Sequence, residues 1–249
     1  MINLSFVKSI LLLLLCLPQL CLAQSIDTVS TKSSGKGKFY LKKFAIPVSL
    51  IGLGIYGTTD NGFINHNEIK EERNEYFSRF SHKADNYLQF GPIAAVYIYD
   101  AFGLKGKHDW KQQTVLMGRA QLIMMGMIIP LKKYTHILRP DSSGYTSFPS
   151  GHTAQVFMAA TFFYKEYGHK YPWVSAGMFT LASGIGAFRI LNNRHWVSDV
   201  LAGAGFGILS VEFSYLVNRN KPGNKSAMPD AVIPFYDNGA IGLAARYKL

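Results

Sequence analysis

Three short clusters carry most of the chemistry that this sequence could perform. Lys132 is followed six residues later by Arg139-Pro140, then comes Phe148-Pro149-Ser150-Gly151-His152-Thr153, and then Arg189, His195 and Asp199. Two or three fixed cations suit a tetrahedral oxyanion, because arginine offers paired donors and lysine a compact charge. Ser150-Gly151 directly precedes an apolar helical stretch, so free backbone N–H groups and the helix dipole can face an anion there, and glycine lets the backbone come close to it. His195 and Asp199 are four apart and share a face of a helix that begins near His195. A carboxylate in that position can hold an imidazole in one tautomer and support its positive form. His152, on a different segment, can supply a proton to a leaving group.

Each cluster alone has a plainer reading. Arg139-Pro140 can be a helix end, Ser150 a helix cap, and His195 with Asp199 a surface pair. Together, in this order, they point to phosphate chemistry.

The elements that must hold them are helical. Apolar segments run over Phe44–Gly57, Tyr87–Leu104, Thr114–Leu131, Thr153–Tyr164, Trp173–Leu191 and Val200–Val217, and their lengths read as helices. Residues 58–86 are polar and read as an amphipathic helix with a loop. Gly184, Gly186 and Ala187, then Ala202, Gly203, Ala204, Gly205 and Gly207, predict close helix packing in the last two segments. Asp100 and Arg119 lie inside apolar segments and are expected to contact one another. His136 is expected to line the site, whereas His66, His82, His108 and His169 read as solvated. Trp110, Trp173 and Trp196 fall at segment edges, which suits a membrane interface or the rim of a soluble core. The tail alternates apolar residues after the turn signal Asp237-Asn238-Gly239 and predicts a small hairpin.

The clusters resemble the three-part signature of the type 2 phosphatidic acid phosphatase (PAP2) family, which shares its site with vanadium haloperoxidases. The family pattern is Lys-x6-Arg-Pro, Pro-Ser-Gly-His and Ser-Arg-x5-His-x3-Asp. The sequence departs from it once, with Phe188 in place of the serine before Arg189. The signature covers residues 132–199, and the helical pattern extends the resemblance to about 87–217. The resemblance implies an all-α bundle of about five or six helices, with the hairpin appended. It implies that His195 carries the phosphoryl group, Asp199 orients it, and His152 acts as acid and then base. Lys132, Arg139, Ser150, Gly151 and Arg189 are then expected to bind phosphate. No metal and no cofactor is expected, because three cations neutralise the charge.

The 249-residue chain is 48% hydrophobic and only 16% charged, with a formal charge of +11. Extended disorder is thereby excluded. Lys8 precedes the run Ile10–Leu17, and Cys21-Leu22-Ala23 fits a cleavage site. Residues 1–23 therefore read as a signal peptide, a retained anchor being the alternative. Both cysteines, Cys16 and Cys21, lie in that segment, so the mature chain is expected to form no disulfide. Residues 24–43 read as a flexible linker, 44–220 as the catalytic domain and 221–249 as a tail. Export disfavours nucleic acid as a partner, and the basic charge suits anionic lipid. No protein partner is indicated. With five spans the loops at 132–152 and 189–195 face outward, and with six they face inward; lysine and arginine counts do not decide.

The expected function is a phosphatase acting on a lipid phosphomonoester or diphosphate, at the inner membrane with its site facing the periplasm. Phosphatidate, phosphatidylglycerol phosphate, an isoprenoid diphosphate and a lipid A type phosphate remain open as substrates. A soluble periplasmic acid phosphatase, a vanadium haloperoxidase and a non-catalytic relative are the alternatives.

Overall fold

The computed structural model describes residues 36–59, 65–218, 231–237 and 240–246, with side chains over 43–59 and 65–218. The expected signal peptide lies outside the described residues, as does the expected linker up to residue 35. Among the described residues the chain forms eight α-helices: α1 (Lys36–Tyr56), α2 (His66–Phe77), α3 (Asp85–Leu88), α4 (Gly91–Ala101), α5 (Trp110–Thr135), α6 (Gly151–Tyr167), α7 (Pro172–Leu191) and α8 (Val197–Val217). Helix α1 starts at Lys36, so residues 36–43 are helical and not the linker that their polarity suggested. The polar stretch 58–86 contributes α2, capped by Asn65, whose side chain accepts from the Glu68 N–H. The apolar segment Tyr87–Leu104 is divided between α3 and α4. Pro92 sits in the first turn of α4, where its missing N–H costs nothing.

Helices α6 and α8 form the centre. Residues 153–163 of α6 are all buried, and α8 is buried over 197–212. One face of α6 packs Val156, Phe157 and Ala160 on Phe179, Ile185, Val200 and Leu201. Its other face packs Ala154, Met158 and Phe162 among Leu116, Met124, Phe206 and Val211. Small residues bring α8 close to its neighbours. A Cβ on Gly203 would stand 2.5 Å from the Ser150 carbonyl oxygen, and one on Gly205 would stand 2.7 Å from that of Pro47. In α7, by contrast, a Cβ on Gly184 would meet nothing within 4 Å.

The expected Asp100–Arg119 contact does not form. Asp100 accepts instead from the Tyr167 hydroxyl at 2.6 Å and from Gln113 at 3.3 Å, while Arg119 donates to the Ser214 carbonyl at 3.4 Å. His108 is not solvated either: its Nδ1 lies 2.8 Å from the carboxylate of Glu166, which is wholly buried and also accepts from Tyr215. A buried carboxylate must find such partners, and the sequence gives no sign of which.

Helices α5, α7 and α8 are long and apolar enough to cross a membrane. On α5, Leu122, Met125 and Ile129 are exposed on one face. The tail is a separate compact unit, in which β1 (Ala231–Asp237) pairs antiparallel with β2 (Ala240–Arg246).

Candidate active site

The three sequence clusters meet at one end of α6. Helix α5 brings Lys132 in its last turn and stops at His136, whose left-handed backbone (φ 46°, ψ 32°) ends the helix. His136 itself is exposed and makes no described contact with the site residues, so its expected place in the lining is not borne out. The chain then doubles back, with the Arg139 N–H donating to Gly144 O and the Ser147 N–H to Ile137 O. These bonds hold Arg139 beside the end of α5.

Ser150 opens α6 as its N-cap. Its hydroxyl lies 2.9 Å from Thr153 Oγ1, and its N–H donates to the Asp199 carbonyl at 2.9 Å. The Ser150 N–H is therefore committed within the protein, whereas its hydroxyl stands with the Gly151 amide at the start of α6. That hydroxyl serves as the acceptor which a helix start requires at its cap. A Cβ on Gly151 would lie 3.7 Å from the Lys132 Cε, which places the two side by side.

The third cluster spans the α7–α8 turn. Arg189 closes α7, and the Arg194 and His195 N–H groups both donate to its carbonyl, at 3.0 and 3.3 Å. Asn193 takes a positive φ of 59° to complete the reversal. The turn folds His195 back beside Arg189, six residues earlier.

His195 is 2% exposed and its Nδ1 lies 3.3 Å from Asp199 Oδ2. The same oxygen accepts from the Trp196 N–H at 2.9 Å and from the Ser147 hydroxyl at 2.5 Å. With the carboxylate ionised, Nδ1 carries the proton and Nε2 keeps a lone pair. Burial pushes His195 down to about 4, against the opposing pull of Asp199. The ring is therefore neutral at neutral pH and able to act as a nucleophile.

Lys132, Arg139 and Arg189 act on one another's charges and on Asp199. The buried Nε groups of Arg139 and Arg189 have no hydrogen-bond partner within the protein. Unspent guanidinium donors beside a lysine and a neutral histidine are chemically suited to a phosphate. His152 lies within the charge field of the same groups. Burial lowers His152 to about 4; Arg189, His195 and Lys132 push the same way, and Asp85 opposes them.

Sequence reasoning missed three contributors. Ser147 fixes Asp199. Asp85, 2% exposed, pairs with Arg189 Nη1 at 2.6 Å, and Asn86 Oδ1 lies 2.8 Å from His152 Nε2. Asp85 and Asn86 sit in a polar stretch without a motif, so only their tertiary placement reveals them. His66, expected to be solvated, stacks on Trp196 at 4.8 Å, with its Nε2 3.2 Å from the Ser198 hydroxyl.

Phe188, the departure from the family pattern, packs edge-on against Phe80 with centroids 5.4 Å apart. It thus anchors the segment that carries Asp85 and Asn86.

Residues 106–222 match the model of the PAP2 superfamily. A Lipid A 1-phosphatase from Porphyromonas gingivalis is 38% identical over 177 residues, 71% of this chain. The match covers 38% of that relative, so the chain spans about two fifths of its length. Aquifex aeolicus LpxE, of which 99% is covered, aligns over 64% of this chain at 21% identity with a TM-score of 0.48. A transmembrane PAP2 type phosphatidylglycerolphosphate phosphatase from Bacillus subtilis, of which 96% is covered, aligns over 72% at 19% identity with a TM-score of 0.47.

Proposed function

We propose that the chain is a member of the PAP2 superfamily, whose model matches residues 106–222, and a metal-independent phosphatase of a membrane lipid phosphomonoester, with a lipid A type phosphate as its substrate. The buried His195–Asp199 pair facing three cations carries this reading. The similarity to a Lipid A 1-phosphatase supports the choice of lipid.

The lone pair of His195 Nε2 attacks phosphorus. The bond from phosphorus to the lipid oxygen breaks, and His152 gives that oxygen a proton. In the second step His152 takes a proton from water, and the resulting hydroxide attacks phosphorus. The P–N bond breaks, inorganic phosphate leaves and the electron pair returns to His195. Lys132, Arg139, Arg189, the Ser150 hydroxyl and the Gly151 amide hold the phosphate oxygens as charge develops. Their positive charge takes the part that a metal ion plays in other phosphatases. Asp199 supports the positive ring of the phosphohistidine. A bound phosphate dianion also raises the proton affinity of His152, so substrate binding itself loads the general acid.

The exposed apolar face of α5, with α7 and the central α8 long and apolar enough to span, holds the protein in a bilayer, with the site at the periplasmic surface after export. The test is phosphate release in EDTA from lipid A, phosphatidate and a soluble ester, with His195→Ala alongside. Release from lipid A that survives EDTA and is lost in the variant supports the reading. Release of equal rate from the soluble ester favours a broad acid phosphatase, and loss in EDTA refutes metal independence.

A further inference from the structure

The segment between α2 and α4 is fastened to the end of α7 by contacts that the phosphate chemistry does not itself require. Phe80 packs on Phe188. Asn192 makes a reciprocal pair with the backbone of His82, accepting from its N–H at 3.0 Å and donating to its carbonyl at 2.8 Å. Arg73 spans both partners, donating to Leu191 O at 2.8 Å and to Phe80 O at 3.1 Å. Asp85 completes the attachment through Arg189. Four anchors on so short a stretch fix where α3 lies, and the residue they deliver to the site is Asn86.

Asn86 Oδ1 stands 2.8 Å from His152 Nε2. An amide oxygen only accepts, so in this arrangement Nε2 carries the hydrogen. That assignment leaves Nδ1 as the nitrogen through which His152 exchanges protons with the ester. We propose that Asn86 is a positioning residue for the general acid: it holds His152 in the Nε2-protonated form and supports the imidazolium that donates from Nδ1. The arrangement parallels the one on the nucleophile, where Asp199 binds the far nitrogen of His195. The two partners differ as the two tasks do. A nucleophile that becomes a charged phosphohistidine is matched with a carboxylate. An acid that must release its proton is matched with a neutral amide, which orients the ring without holding the charge strongly.

The charged and titratable groups around His152 are Arg189 from α7, Asp85 from α3, His195 from the α7–α8 turn and Lys132 from α5. Among these, Asp85 is the group that favours a proton on His152, and it is the residue next to Asn86. The α3 turn therefore acts on the acid twice, through charge and through orientation.

This inference rests on the phosphatase reading above, and the test separates the two. Single-turnover cleavage of p-nitrophenyl phosphate and of an alkyl phosphomonoester lipid is measured in detergent for wild type, Asn86→Ala and Asn86→Asp. Single turnovers report the first step alone. Cleavage of either ester by wild type upholds the phosphatase reading, and cleavage of neither refutes it whatever the variants do. Nitrophenolate leaves without a proton, whereas an alkoxide needs one. Asn86→Ala is expected to slow the alkyl ester by about 100-fold and the nitrophenyl ester by less than about threefold. Equal slowing of both, or of neither, overturns the inference. Asn86→Asp retains the acceptor and is near-isosteric, so it tests the same point without loss of the contact. Its carboxylate is expected to stabilise the imidazolium and move the alkaline limb of the alkyl-ester profile up by about one pH unit. An unmoved limb counts against the proposal.

Discussion

Replacing Asp199 by asparagine tests the electrostatics of the nucleophile without changing its shape. Asp199 is wholly buried, and its Oδ2 receives three donors: Ser147 Oγ at 2.5 Å, the Trp196 N–H at 2.9 Å and His195 Nδ1 at 3.3 Å. The Trp196 N–H can be satisfied only by an oxygen, so the amide oxygen of the variant takes the Oδ2 place and its NH2 the place of the unpartnered Oδ1. The tautomer of His195 then survives, and what disappears is the counter-charge for the phosphohistidine. Breaking a buried charge pair on one side is worth about 3–5 kcal/mol. If that full amount appears in the transition state, turnover falls by about 100- to 5,000-fold, since each 1.36 kcal/mol is tenfold. The assay is phosphate release from a lipid phosphate in detergent micelles, with circular dichroism to show that the fold is retained. A folded variant within about tenfold of wild type would refute the idea that Asp199 supports a charged intermediate.

The remaining predictions probe packing, pH and the departure at Phe188. Both His195 and His152 are lowered to about 4 from an ordinary value of 6.5, so the unfolded chain binds their protons first. Stability is therefore expected to be level above about pH 6.5 and to fall as pH drops from there towards 4, read as Tm across that range; a Tm that rises on acidification contradicts the burial of these rings. Gly203→Ala would set a Cβ 2.5 Å from Ser150 O. It is expected to cost about 1–3 kcal/mol in denaturant unfolding and to reduce turnover by displacing the start of α6; a neutral outcome denies the close approach of α6 and α8. Phe188→Ser restores the residue of the resembled family but removes the edge contact with Phe80, worth about 0.5–1.5 kcal/mol. It is expected to lower alkyl-ester turnover, and a gain in rate would show that the segment's anchoring is unimportant.

The site was legible in the sequence where chemistry forces residue type. The two histidines, Asp199 and three cations stand at spacings that helix ends and one tight turn convert into a single cluster. The close packing of α8 was legible as well, because the run Ala202–Gly207 specifies it, whereas the place of α6 as its partner at the centre was not. What escaped were contributions without periodicity. Asp85 and Asn86 lie about 65 to 105 residues from the partners they hold, and no local pattern marks them. His66 and His108 sit in polar stretches, yet Ser198 and Glu166 claim them once the chain folds. Asp100 and Arg119 were paired on the reasoning that charges in apolar segments meet. Hydroxyl and amide partners satisfied Asp100 instead, and a backbone carbonyl took Arg119.

The most direct test of the central claim is to trap the phosphorylated enzyme. Purified protein in EDTA is mixed with a phosphorus-labelled lipid phosphate, quenched within one turnover and digested for mass analysis. The account predicts phosphate on His195, lost in acid, kept in alkali, and absent from His195→Ala. Turnover in EDTA with no phosphate on His195 at any time would contradict it.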